Sequence, residues 1–164
     1  MKPFLFTVMK EIIGEANCKF IGEIGKHHGG TAYQLVAHFA KRVDNVTYYG
    51  YDIFDDVLGD RQFAKKERNG KGAGSLDRAK TKLAKANKRY GNVSYEFFKG
   101  LTTDTLTKPV VFDFVYIDGG HSYESVKHDY SMVKDSKIIV FDDVKISGVR
   151  KCVNELIEQG IDIE

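Results

Sequence analysis

Long apolar runs are missing from this sequence. No stretch approaches the length that a membrane-spanning helix needs. The early candidate, Phe4 to Met9, is broken at once by Lys10 and Glu11 and lacks a small-residue cleavage site, so it makes a poor signal peptide. Cysteine is scarce: Cys18 and Cys152 stand far apart without CxxC or Cys/His spacing, which suggests neither a disulfide framework nor a zinc site and makes a reducing compartment the default. An excess of charge of one sign is lacking too. The 25 basic and 23 acidic residues leave a formal net of +2, too little to argue for nucleic acid or an anionic membrane as a partner. No internal repeat or low-complexity tract is evident. A soluble, cytoplasmic protein is expected, with a small-molecule partner rather than a membrane or nucleic acid; a homo-oligomer stays open.

What is present fits a single domain over residues 1–164, because 42% hydrophobic content at this length can bury one sizeable core. Five short runs rich in β-branched and aromatic residues recur: Lys19 to Glu23, Val46 to Asp52, Val93 to Phe98, Phe112 to Asp118 and Lys137 to Asp142. Helical stretches separate them, and that alternation marks βαβ units around a parallel sheet, a doubly wound α/β fold. Thr31 to Arg42 carries Ala32, Leu35, Val36 and Phe39 at the spacing of one buried helix face. Ser75 is placed to cap a helix running to about Tyr90, with Leu76, Ala79, Leu83 and Ala86 inward. Its other face holds Arg78, Lys80, Lys82, Lys85, Lys88 and Arg89, read as a solvated face in preference to a polyanion-binding stripe. Further helices are expected from Tyr123 to Val133 and from Gly148 to Glu158. Phe54 to Gly74 mixes charges with Gly70, Gly72 and Gly74 and reads as a long mobile loop, the best candidate for a lid.

Chemistry concentrates where strands end. Glu23-Ile24-Gly25 closes the first strand, and Lys26-His27-His28-Gly29-Gly30 leads into a helix, so backbone N–H groups face the crevice at the carboxyl end of the sheet. Gly25 would permit a tight turn, and Gly29 and Gly30 would let a nucleoside approach the backbone. The spacing is not GxGxxG, which weakens a hydride-transfer reading. His27 and His28 are expected to be exposed. Asp52 ends the second strand, where an acid in such folds accepts hydrogen bonds from ribose hydroxyls; the plainer reading is a loop-capping aspartate. Asp118 follows the fourth strand, and Asp142 and Asp143 the fifth. Three carboxylates gathered there suit Mg²⁺, unless some merely cap helices. His121 lies close enough to Asp118 to act with it, taking a proton from a substrate hydroxyl.

Together the Glu23-x-Gly25 turn, Lys99 to Leu106, Ile117-Asp118-Gly119-Gly120-His121-Ser122-Tyr123, Asp142-Asp143 and Gly148-Val149-Arg150 resemble the class I methyltransferases related to macrocin O-methyltransferase, over about residues 18 to 158. The resemblance implies a Rossmann-like sheet and S-adenosylmethionine held by Glu23, Gly25 and the glycine turn, with Asp52 on the ribose. It also implies Lys99 and Gly100 near the adenine and Asp118 facing the same crevice. In metal-dependent members, aspartates matching Asp118, Asp142 and Asp143 bind Mg²⁺, and the histidine matching His121 is the general base. Such folds usually close with an antiparallel strand pair, for which only Ile161-Asp162-Ile163 remains here, so a reduced sheet or a fragment is expected. Methyl transfer to a small hydroxylated acceptor, such as a sugar or a glycosylated metabolite, is the leading expectation. The alternatives are a cofactor-binding module without turnover and a nucleotide-dependent transferase or dehydrogenase.

Overall fold

A computed structural model describes residues 11, 13–14, 16–25, 28–54 and 75–161. Phe4 to Met9, Lys26, His27, the expected loop beyond Phe54, and Asp162 with Ile163 lie outside the described residues. The described chain runs β1 (Phe20–Ile24), α1 (Gly30–Phe39), β2 (Val46–Asp52), α2 (Leu76–Tyr90), β3 (Val93–Lys99), α3 (Thr102–Thr105), β4 (Phe114–Ile117), α4 (Tyr123–Val133), β5 (Ile138–Phe141) and α5 (Ser147–Glu158).

The five strands pair in the order β3-β2-β1-β4-β5, all parallel. The order reverses between β1 and β4, the switch point at which a doubly wound sheet opens a crevice at its carboxyl edge. All four residues of the inner strand β4 are buried, whereas the four of β5 at the edge are each half-buried. Successive side chains go to opposite faces. Ile21, Val46, Tyr48, Phe114 and Tyr116 pack with Leu35, Phe39, Leu83 and Ala86 of α1 and α2. Tyr51, Val115 and Ile117 pack with Val133 of α4 on the other face, and Val126 of α4 meets Val149, Cys152 and Val153 of α5. Burial on both faces explains the unbroken apolar runs.

Local signals hold closely. Ser75 Oγ accepts from the Arg78 N–H at 3.3 Å, and Gly91 in the left-handed region closes α2. Ala32, Leu35, Val36 and Phe39 are buried on α1, but the helix stops at Phe39, and the Arg42 guanidinium donates to the His38 carbonyl at 2.9 Å. The fourth strand begins two residues later than its apolar run, because Phe112 N–H donates to Ser136 Oγ (3.0 Å) and Asp113 is drawn to the start of β1. Helix α3 has only four residues, too few for a periodic pattern.

Asp113 ties three segments together. Its Oδ2 accepts from the Lys19 and Phe20 N–H groups at 2.8 and 2.9 Å, and its Oδ1 from Lys137 Nζ at 2.6 Å. Burial pushes the carboxyl pKa up, but the Lys137 ammonium and the two backbone donors outweigh it and hold it below the usual value. A group depressed in the folded state stabilises fully above its unfolded pKa, and that stability is lost as pH falls through the folded pKa. Asp113→Asn should therefore cost about 1–2 kcal/mol at pH 7, with the difference from wild type shrinking below about pH 4. Urea unfolding at several pH values checks this; a gap that does not change with pH would remove the carboxylate's charge from the account.

Candidate functional site

Gly25 occupies the switch point. Its φ is 80°, its N–H donates to the Tyr51 carbonyl at 2.8 Å, and a Cβ there would fall inside the Asp118 carbonyl. The Asp118 N–H in turn donates to the Ile24 carbonyl at 2.8 Å. The turn after β1 and the loop after β4 are thus one packed unit, possible only because Gly25 has no side chain.

Glu23 is 1% exposed, and Tyr48 Oη donates to its Oε2 at 2.5 Å. Burial, then the Glu23 charge, pushes the Tyr48 hydroxyl well above its ordinary pKa, so Tyr48 remains a donor. Asp52 Oδ1 accepts from the Phe54 N–H at 2.8 Å, and the Gly100 N–H donates to the Asp52 carbonyl at 3.0 Å. The loop-capping reading of Asp52 is therefore real and engages one oxygen of its carboxylate. Lys99 pairs with Asp52 in register, which places the ends of β2 and β3 side by side. Gly30 opens α1, and Gly29 precedes it at φ 68°. For Gly29 the structure supplies a reason other than ligand approach: a Cβ there would lie 2.9 Å from the Ala79 Cα of α2. His28 departs from the expected exposure. It is half-buried, and its Nδ1 accepts from the Ser75 N–H at 3.1 Å, joining the turn to the start of α2.

Across the crevice, ligand atoms of Asp118, His121 and Asp143 lie within 4.8 Å of one another, and His121 Nε2 is 3.0 Å from Asp143 Oδ2. This trio differs from the expected set of Asp118, Asp142 and Asp143. Asp142, beside this trio in sequence, has both carboxylate oxygens engaged: Tyr116 Oη donates to its Oδ2 and the Asp143 N–H donates to its Oδ1 at 2.8 Å. Burial and the charges of Asp118 and Asp142 raise the Tyr116 pKa, so this hydroxyl also stays protonated. Asp143 sits at φ 52°, uncommon for a residue other than glycine. The chain around His121 is fixed from behind, since a Cβ on Gly148 of α5 would overlap the His121 carbonyl.

Three residues at the site carried no sequence signal strong enough to single them out. Tyr48 and Tyr116 looked like ordinary strand aromatics, and only their partners give them a role. Phe54 is 1% exposed yet holds φ 49°, a costly conformation for a bulky side chain that tends to mark functional segments.

A parallel sheet with this order, a glycine turn at its switch point and acids at the neighbouring strand ends is the Rossmann-like arrangement that class I methyltransferases share with other doubly wound folds. The chain belongs to the family described as Methyltransferase domain, whose sequence model matches residues 23–144. No curated protein matches it in sequence. Among solved structures, it is similar to the O-methyltransferase from Bacillus cereus in complex with SAH, at 15% identity and a TM-score of 0.63, covering 96% of this chain and 70% of that one. It is also similar to the O-methyltransferase TomG from Streptomyces achromogenes, involved in tomaymycin synthesis and in complex with SAM, at 16% and 0.55, covering 96% and 70%. A spermidine synthase from Thermotoga maritima matches at 16% and 0.54, covering 96% of this chain and 51% of that one. At these identities the likeness is one of fold. No described helix is long and apolar enough to cross a membrane.

Proposed function

We propose that the chain is an S-adenosylmethionine-dependent O-methyltransferase of the macrocin O-methyltransferase type, acting on a small hydroxylated acceptor such as a sugar or glycosylated metabolite. The observation that carries this reading is the Asp118, His121 and Asp143 cluster, set on the backbone that packs against Gly25. Cofactor turn and acceptor side are thereby neighbours. The sulfonium makes the methyl group electrophilic, so the protein has to align an acceptor oxygen with it and remove a proton. Glu23, Gly25, Gly29, Gly30 and Asp52 are assigned to the cofactor, with Lys99 and Gly100 beside its base and Asp118 at the junction. His121, oriented by Asp143, is assigned as the base.

The donor set fits a divalent cation: two carboxylates suit Mg²⁺, which leaves the His121 imidazole to serve as the base. Asp118 and Asp143 would hold it, with Asp142 supporting Asp143 through the backbone. A cation bound there would lower the pKa of the acceptor hydroxyl. A non-catalytic cofactor module is not favoured, because both halves of the crevice carry their functional side chains.

Titration calorimetry with S-adenosylmethionine tests the cofactor assignment. Binding is expected, and Asp52→Ala should weaken it more than tenfold, through the lost ribose contacts and the lost Phe54 cap. Unchanged affinity would remove Asp52 from the site. Transfer of labelled methyl groups to a panel of hydroxylated glycosides, with and without chelator, then reads the acceptor class and the need for metal.

A further inference from the structure

Helix α2 concentrates charge that the whole chain conceals. Six basic residues and Asp77 leave this helix at +5, against +2 for the entire sequence, so everything outside it is net −3. Arg78, Lys82, Lys85 and Arg89 stand at i, i+4, i+7 and i+11, which at 3.6 residues per turn confines them to an arc of about 60° over about 16 Å of helix. Arg78, Lys85 and Arg89 are exposed and Lys82 is half-buried. Among the described residues none of the four forms an ion pair. A solvated helix face ordinarily interleaves acids with its bases at i,i+4, and here Asp77 is the only acid in fifteen residues.

We propose that this stripe docks the phosphodiester backbone of a nucleic-acid strand. A protein partner would need an aromatic or aliphatic anchor at the centre of its footprint. The exposed large apolar residues among those described, Val111, Val144, Ile157 and Ile161, all lie outside α2. A phosphate backbone needs only a line of cations, and Arg and Lys serve it equally without reading sequence. The helix also points the strand somewhere. Its first turn abuts the glycine turn, through Ser75 N–H on His28 and Ala79 against Gly29, so a strand lying on the stripe runs toward the crevice. The docking is independent of the transferase reading and is measured without cofactor.

The test is fluorescence anisotropy with a labelled single-stranded RNA of about 20 nucleotides, from roughly 50 to 200 mM salt. Four phosphate contacts predict a slope of log K against log salt of about −3. Replacing Arg78, Lys82, Lys85 and Arg89 by Gln should weaken binding at least tenfold and flatten that slope. Lys82→Glu with Lys85→Glu should lose at least as much, so the result does not hang on one variant. Gln at the scattered exposed positions Lys19, Lys41, Lys108 and Lys134 removes the same charge and should leave most of the affinity. Equal losses from the stripe and the scattered set would overturn the proposal, as would absence of RNA binding. Binding to phosphatidylserine vesicles without binding to RNA would overturn it in favour of a membrane.

Discussion

Replacing Gly25 by alanine is expected to lower the unfolding free energy by about 4 kcal/mol or more, enough to leave little folded protein. Two costs add. At φ 80° an L side chain is strained by about 1–2 kcal/mol. The new methyl also meets the Asp118 carbonyl and the Gly119 Cα, backbone atoms that cannot rotate away, so the ends of β1 and β4 must part. Gly91 separates the two contributions. It has φ 76° but nothing within 4 Å of a built Cβ, so Gly91→Ala should cost only the conformational part, about 1 kcal/mol. Denaturant unfolding of both variants is the measurement, and equal losses would show that crowding at the switch point is not what demands glycine.

His121→Ala should lower kcat by about a thousandfold, within the range that a positioned base contributes, while the affinity for S-adenosylmethionine changes less than about twofold. The expectation rests on placement. The imidazole lies 3.0 Å from Asp143 and its side chain is 16% exposed, so it is both oriented and reachable. Gly148 behind its backbone leaves little room for the loop to relax. Exogenous imidazole should restore part of the activity, which a merely structural histidine would not allow. Asp143→Asn keeps the shape and the proposed base, so with chelator present, where the proposed cation plays no part, it should lose less than His121→Ala. A His121→Ala variant that binds cofactor as poorly as it turns over would move the histidine from chemistry to architecture.

Much of the fold was legible because it rests on local signals. Ser75 as a cap, the buried faces of α1 and α2, and the extent of α4 follow from periodicity and hydrogen-bonding chemistry within a few residues. What escaped depends on contacts distant in sequence. That Asp142 would turn to Tyr116 while His121 joined Asp118 and Asp143 is a matter of which side chain meets which across β4 and β5, and spacing cannot resolve two adjacent aspartates. Gly29 was legible as a special glycine, but its neighbour Ala79 lies fifty residues on. The half-burial of His28 has the same cause, since its partner Ser75 is 47 residues away. The basic face of α2 is legible in the sequence, but only as a charged helix face; that its first turn abuts the glycine turn depends on Ala79 meeting Gly29.

Two tyrosine–carboxylate bonds divide the sheet. Tyr48 on Glu23 joins β2 to β1, and Tyr116 on Asp142 joins β4 to the end of β5. Each pair lies wholly within one half of the chain, whereas the halves meet along β1 and β4, through their backbone pairing, Gly25 against the Asp118 carbonyl, and Asp113 on the Lys19 and Phe20 N–H groups. Recombination between relatives is therefore not equally tolerated everywhere. A crossover between β3 and β4 carries each hydroxyl together with its own carboxylate, whereas one between Glu23 and Tyr48 or between Tyr116 and Asp142 gives an acid to a stranger. The connection between Lys99 and Phe114 keeps both bonds intact on exchange, and the β1–β4 seam is then what the two parents must share.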